Sequence, residues 1–286
     1  MEQGVVFAVL AMVLWGFEEF FLKQAIDNIK TFSTLLINTI AGIIIGVLFT
    51  ITFIGTPSLI GGQDLLLVVL CSTTALLGYI FFYTALERQE VSLIAALDES
   101  WIIVTIIIAV VFFGERLTLL HMAGILGVLI GAFLISAKFE QLKRITFISG
   151  SGYEVMSILF IGVTLALDKI IIDRIGEANA IIYLLVGVLP LIFIAKTVMR
   201  EEFVRPTRKM TIIVALSGIF DSLAFGFAIL AISRADVSLV APIIASTAIV
   251  SVLLAHLFLK EHMTLQQAIG ATVLLASVIT LSTIIA

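Results

Sequence analysis

Residues 75–136 and 221–282 carry one pattern twice, at a constant offset of 146 and without a gap. Arg88 matches Arg234, Val91-Ser92-Leu93 matches Val237-Ser238-Leu239, and Ser100 matches Ser246. Glu115, Thr118-Leu119 and Gly124 likewise match Glu261, Thr264-Leu265 and Gly270. Close to a third of the 62 aligned positions are identical, many of them polar, which an apolar background would not produce by chance. Each copy holds three apolar stretches and two more precede it, so the chain divides into two halves of five segments. Five is odd, so the second half enters a membrane in the opposite sense to the first. The pattern predicts an all-α membrane protein of ten transmembrane helices arranged as two inverted five-helix repeats. Repeat units are expected over 1–137 and 151–286, joined by a central link over 138–150. Inverted repeats of this kind mark alternating-access transporters.

The balance of residues supports this class. Hydrophobic residues make up 61% of 286 and charged residues 13%, with a mean hydropathy of +1.25. A soluble fold cannot cover so much apolar surface with so little charge. The formal charge of -4 is too small to indicate a partner. One cysteine, Cys71, excludes a disulfide framework, and His121, His256 and His262 lie too far apart in sequence for a metal motif. The first apolar run carries Glu18 and Glu19 and lacks a small-x-small site, so it does not read as a cleaved signal peptide.

Ten runs are each long enough to cross the roughly 30 Å of hydrocarbon as a helix. They span 4–25, 32–54, 64–86, 91–113, 118–137, 151–172, 178–199, 210–232, 237–259 and 264–284. The links are short and leave no room for an extramembrane domain. Pro190 and Pro242 fall inside spans, where a freed carbonyl bends the helix and neighbours must re-satisfy the backbone. Thr264 with Gln267 reads as a capping box, and Thr118 is its counterpart in the first half. Counting links alternately places Arg116, Arg174 and Arg234 on the side of the termini. The other side has Lys23, Lys30, Arg88, Lys138, Lys143, Arg144, Lys196, Arg200, Arg205, Arg208, Lys209 and Lys260, twelve against three. The positive-inside rule then puts the termini outside and the central link in the cytoplasm.

Leu14-Trp15-Gly16, and Gly114-Glu115-Arg116-Leu117-Thr118 with its echo Lys260-Glu261-His262-Met263-Thr264, resemble the EamA type of drug/metabolite transporter. The resemblance covers essentially the whole chain. It implies a ten-helix bundle around a central cavity in a prokaryotic cell membrane, moving small metabolites, often outward and often driven by protons. It also implies cytoplasmic termini, the reverse of the charge count, which is the orientation kept here. The family is broad in cargo, so the resemblance names none.

Ionisable residues inside spans cost at least about 2–3 kcal/mol each, so they face a cavity or a partner. Glu18 and Glu19 lie in span one, Asp98 and Glu99 in span four, Asp168 and Lys169 in span six, and Asp221 in span eight. At about 1.5 Å per residue, Glu18 lies roughly 10 Å, Glu99 about 12 Å and Asp221 about 16 Å from the link side. Their similar depths mark the candidate site. Glu18, Asp221 and one of Asp98 and Glu99 have no basic neighbour at helical spacing, so a binding or proton-coupling role is favoured over a cross-helix bond. Asp98 and Glu99 project about 100° apart on a regular helix, so one of them is expected to face the cavity. Glu19 with Lys23, and Lys169 with Asp173, are spaced i,i+4 and have a structural reading as ion pairs, and Asp168 lies near its membrane surface. Glu115 and Glu261 read as corner or cap residues. Tyr79, Phe82, Tyr83 and Trp101 could hold an ammonium group against the carboxylates, or could anchor the interface. Gly42 with Gly46 and Gly127 with Gly131 read as packing positions.

The expected function is secondary transport of a cationic or zwitterionic metabolite across a lipid bilayer, with protons as candidate coupling ion. A carboxyl in a cavity of low polarity can exchange a proton for a cation near neutral pH. An uncoupled facilitator would need a continuous polar stripe, and a lipid-directed enzyme a His/Asp/Glu constellation near a surface. There is no Gly-x-x-x-x-Gly-Lys-Ser/Thr loop, so no ATP hydrolysis is expected, and nothing points to a cofactor, a metal or nucleic acid.

Overall fold

The computed structural model describes residues 2–25, 29–88, 94, 97–136, 151–260 and 263–285. Eleven helices are set out there: α1 (Glu2–Ala25), α2 (Thr31–Phe53), α3 (Gly62–Arg88), α4 (Trp101–Phe112) and α5 (Leu119–Ser136) precede the central link. Then follow α6 (Ser151–Ile175), α7 (Glu177–Met199), α8 (Arg208–Ile232), α9 (Val237–Ile244), α10 (Ala248–Leu259) and α11 (Leu265–Ile285). Among the described residues nine segments are long and apolar enough to cross a membrane, and Trp101–Phe112 is a shorter apolar helix. Leu10, Ile44, Leu66, Val111, Ile130 and Ile194 point outward from the bundle, as side chains do where lipid is the solvent.

The two halves interlock and do not stand side by side. The broadest interfaces join α1 to α8, α3 to α6, α2 to α8, and α5 to α11, each a helix of one half against a helix of the other. They obey a twofold: α1 on α8 is repeated by α6 on α3, and α2 on α8 by α7 on α3. The symmetry holds at the level of side chains. Arg234 lies 5.1 Å over the Phe7 ring and Arg88 4.5 Å over the Tyr153 ring, and the two arginines, like the two rings, are 146 residues apart. The 146-residue relation therefore continues into spans one and six, where sequence identity no longer shows it. On the axis, Gly131 and Gly270 bring α5 and α11 into backbone contact, and Gly127 packs on Ser277.

Span nine, expected as one helix, is broken. Its i,i+4 bonding gives way at Ala245-Ser246-Thr247, where Ser246 N–H bonds to Ile243 O (3.1 Å), Ile249 N–H to Ser246 O (3.4 Å) and Val250 N–H to Thr247 O (2.9 Å). Tightening to i,i+3 bonds displaces the axis of α10 from that of α9. Ser246 Oγ donates to Pro242 O (2.8 Å), using an oxygen that its own backbone abandons. The same break recurs in span four, where Ser100 N–H bonds to Leu97 O (2.9 Å) and Ile103 N–H to Ser100 O (3.0 Å), again at the offset of 146.

Capping fixes how these pieces enter. Thr264 and Gln267 close the expected box, with Gln267 N–H to Thr264 Oγ1 at 3.2 Å and Thr264 N–H to Gln267 Oε1 at 3.0 Å. His121 takes the glutamine's place opposite Thr118, its Nδ1 accepting from Thr118 N–H at 3.2 Å. Glu115 is a cap, but for the other half: its two oxygens accept from Val237 N–H (3.0 Å) and Ser238 N–H (2.8 Å), the orphan donors that open α9. Glu261 lies outside the described residues. Glu115→Ala leaves both donors bare at a helix start and should cost about 1–2 kcal/mol. The expected result is a thermal midpoint lowered by a few degrees in detergent, against no change for Glu2→Ala, whose side chain is exposed.

Candidate functional site

The carboxylates of the first half meet the two breaks and the middle of α8. Gly16 lets α1 press on span nine, because a Cβ there would fall inside contact distance of Val250 Cβ and 3.2 Å from Thr247 O. That approach brings Glu19 to the break, where Thr247 Oγ1 and Ser251 Oγ both donate to its carboxylate. Thr247 Oγ1 also lies 3.0 Å from Glu99 Oε1. One hydroxyl has one hydrogen, so both contacts close only when one of the two acids donates a proton of its own.

One residue earlier on α1, Glu18 Oε1 accepts from Ser217 Oγ (3.1 Å), which in turn accepts from Asn38 Nδ2 (3.2 Å). Gly218 makes this possible: a Cβ on it would lie 2.8 Å from Asn38 Cα, so α2 and α8 touch backbone to backbone. Trp15 Nε1 donates to Asp221 Oδ1 at 2.9 Å. Asp221, Glu19 and Asp98 are the acidic neighbours of Glu18. Tyr79 and Tyr83 stand in the same field, Tyr79 among Asp221, Glu18 and Asp98, and Tyr83 beside Glu18 and Asp221. Glu18, Glu19, Asp98 and Asp221 keep part of their surface accessible, whereas Glu99 is buried. Acids bonded across to neighbouring helices are turned into the bundle and away from lipid. Below them, Leu22, Phe32, Leu35, Leu76, Ile80, Tyr83 and Ile192 close a small apolar cluster at the link-side ends of α1, α2, α3 and α7.

Five expected residues thus converge: Glu18, Glu19, Asp98, Glu99 and Asp221, with Tyr79 and Tyr83 beside them. Asp98 and Glu99 sit at the span-four break and take different neighbours. Glu99 reaches Thr247 while Asp98 adjoins Glu19 and Glu154. Trp101 packs into the main apolar core, its carbonyl 2.7 Å from where a Cβ on Gly162 would stand, and among the described contacts nothing joins it to the carboxylates. Asp168 is buried on the α3 side of α6, where Cys71 Sγ donates to its Oδ1 at 3.2 Å, away from the cluster. Lys169 pairs with Asp173 at 3.0 Å as the spacing suggested, and the Lys23 side chain is outside those described. Among the described residues no Lys or Arg pairs with any of the five acids. The described ion pairs join Asp64 to Arg174, Glu177 to Arg234 and Lys169 to Asp173.

Thr247, Ser251, Ser217 and Asn38 were not foreseen. In an apolar span, lone Ser and Thr residues usually bond their own helix, and only the opposing carboxylate marks these as different.

Two interlocked five-helix units with broken helices and a carboxylate cluster at their junction define a multi-pass membrane transporter of the inverted-repeat class. The EamA-like transporter family model matches residues 2–137 and again residues 149–283, and the chain belongs to that family. An uncharacterized protein of Methanocaldococcus jannaschii, MJ1333.1, is 26% identical over 137 residues, which is 48% of this chain and 98% of that protein. That length is close to one of the two matched units. A solved crystal structure shares the fold with a TM-score of 0.79 and 16% identity, covering 99% of this chain and 97% of its own.

Proposed function

We propose that the protein exports a small cationic or zwitterionic metabolite in exchange for protons, with cargo held by Glu18, Glu19, Glu99 and Asp221. The observation that carries this reading is a set of acids from α1, the span-four break and α8, gathered with hydroxyl donors of α8 and span nine and the Trp15 indole but with no described basic partner. Acids of one sign survive together inside a membrane only if a cation or a proton joins them. Tyr79 and Tyr83 add aromatic surface of the kind that favours an ammonium group. Protons entering from the acidic side displace the cation there, so cargo accumulates on that side.

The test is a thermal-shift screen of amines, amino acids and sugars, followed by uptake of the stabilising compound into proteoliposomes under an imposed pH gradient. Stabilisation by an amine or amino acid, and accumulation on the acidic side, is the expected result. Stabilisation by neutral sugars alone, or uptake indifferent to the gradient, would favour an uncoupled facilitator.

Orientation follows from the charge count. Single cysteines placed between Lys138 and Gly150, on a background lacking Cys71, should resist an impermeant thiol reagent in intact cells and react once the membrane is opened. Ready labelling of intact cells would instead put the termini in the cytoplasm.

A further inference from the structure

Glu154 lies in the first turn of α6, where a carboxylate ordinarily caps the helix or complements its dipole. It does neither by hydrogen bonding: its side chain is fully buried, and neither Oε atom completes a hydrogen bond of regular geometry. Its neighbour is Asp98, which stands carboxyl to carboxyl with it across the junction of α6 and the span-four break. Ser157, one turn further along the same face, is equally buried, and its Oγ is also without a partner. Of the other described charged groups on the helices against α6, Arg208 and Lys209 of α8 are exposed at its start, and the rest are engaged elsewhere. Arg88 of α3 covers Tyr153, Asp64 of α3 pairs with Arg174, Glu177 of α7 with Arg234, and Lys196 of α7 lies over Phe203. Asp221 of α8 takes its bond from Trp15, and Glu99 meets Thr247. Among the described residues Asp98 is thus the charged group that acts on Glu154.

Two bare carboxylates in contact, one of them fully buried, repel without compensation. A single proton converts the contact into one O–H donating to one carboxylate, with one negative charge over the pair. We infer that Glu154 and Asp98 bind one proton between them and pass it between the link side of the membrane and the carboxyl cluster, as a proton site separate from the surfaces that hold cargo. Asp98 is the bridge, since it adjoins Glu154 on one side and Glu19 on the other. A proton taken by Glu154 leaves through Asp98 to the cluster, and the reverse path returns it. The unpartnered Ser157 hydroxyl lies one turn away and can accept or donate as the pair changes state.

This inference rests on the reading of the Glu18–Asp221 cluster as the cargo site, but its test needs no cargo. It can therefore fail while that reading stands, and the cargo screen can fail without touching it. Infrared difference spectra of the full-length protein in liposomes, stepped in pH, read the carbonyl stretch of protonated carboxylic acids directly. The wild type should show a band that is lost as pH rises. Glu154→Gln should remove that band, and Asp98→Asn should remove the same one, because the proton is shared. A band set unchanged in both variants overturns the inference. So does a band that responds to sodium or potassium at constant pH, which would make the pair a metal-ion site. Should Glu154→Gln fail to insert, Asp98→Asn carries the test, with survival of the full band set again counting against a shared proton.

Discussion

Asp221→Asn should abolish transport driven by a pH gradient while leaving the protein folded and inserted. Asparagine has the shape of aspartate, and its Oδ1 can still accept the 2.9 Å bond from Trp15 Nε1, so the indole and α8 keep their places. What is lost is the negative charge. Stripping the charge from one side of a buried charged contact costs about 2–5 kcal/mol, and each 1.4 kcal/mol is tenfold, so a drop of roughly two to three orders of magnitude is expected. Glu99→Gln should act in the same direction, since Thr247 Oγ1 can still donate to the amide oxygen while the acid's exchangeable proton disappears. Uptake into proteoliposomes under a fixed gradient measures both, with protein insertion quantified in parallel. Wild-type rates with wild-type pH dependence in both variants would make these acids structural and remove the proposed site. Loss of uptake only with loss of insertion would report on folding, and the spectroscopic test of Glu154 and Asp98 would then decide whether protons are handled at all.

Much of the architecture was legible in the sequence because a gapless duplication of an odd number of spans leaves one arrangement. The spans other than the fourth lie within a few residues of their expected limits, the expected start of span four lies outside the described residues, and the Thr264–Gln267 box closes as read. The breaks were not legible. A run that is apolar throughout reads as continuous whether or not its hydrogen bonds slip from i,i+4 to i,i+3. Pro242 signalled a disturbance in span nine, but its counterpart Ala96 in span four signalled nothing. The carboxylates of the site were visible through their cost in lipid, and their hydroxyl partners were not. Glu154 does not stand out in the sequence for a related reason. An acid in a first turn is so ordinary that only its missing hydrogen bonds, which no sequence shows, set it apart. Glu115 reads in the sequence as a corner or cap residue, and only the interlocking of the halves reveals that the helix it caps is α9.

Gly16→Ala should nearly silence the transporter, and Val250→Gly should restore it. The added Cβ meets Val250 Cβ inside contact distance and Val250 Cγ1 at 2.7 Å, and neither atom can swing away because a β-branched side chain on a helix has one favoured rotamer. The strain of overpacking, about 1–3 kcal/mol, is relieved by moving α1 away from the span-nine break. Moving α1 takes Glu19 from Thr247 and Ser251, and Trp15 from Asp221, so a one-carbon change three residues before Glu19 disassembles the site. Val250→Gly removes the two closest opposing carbons at about 1 kcal/mol of helix propensity, and a small shift absorbs the 3.2 Å contact with Thr247 O. Alone, Val250→Gly should lower uptake severalfold. In the double variant, uptake should recover well above Gly16→Ala, a coupling that a double-mutant cycle measures. The repeat supplies a control. Gly162 bears the same relation to Val104 and Trp101 in the other half, but no cluster acid follows it on α6. Gly162→Ala should therefore lower the thermal midpoint as much as Gly16→Ala and spare more of the transport. Equal loss of transport from both would mean that bundle strain, and not the placement of Glu19 against the break, governs activity.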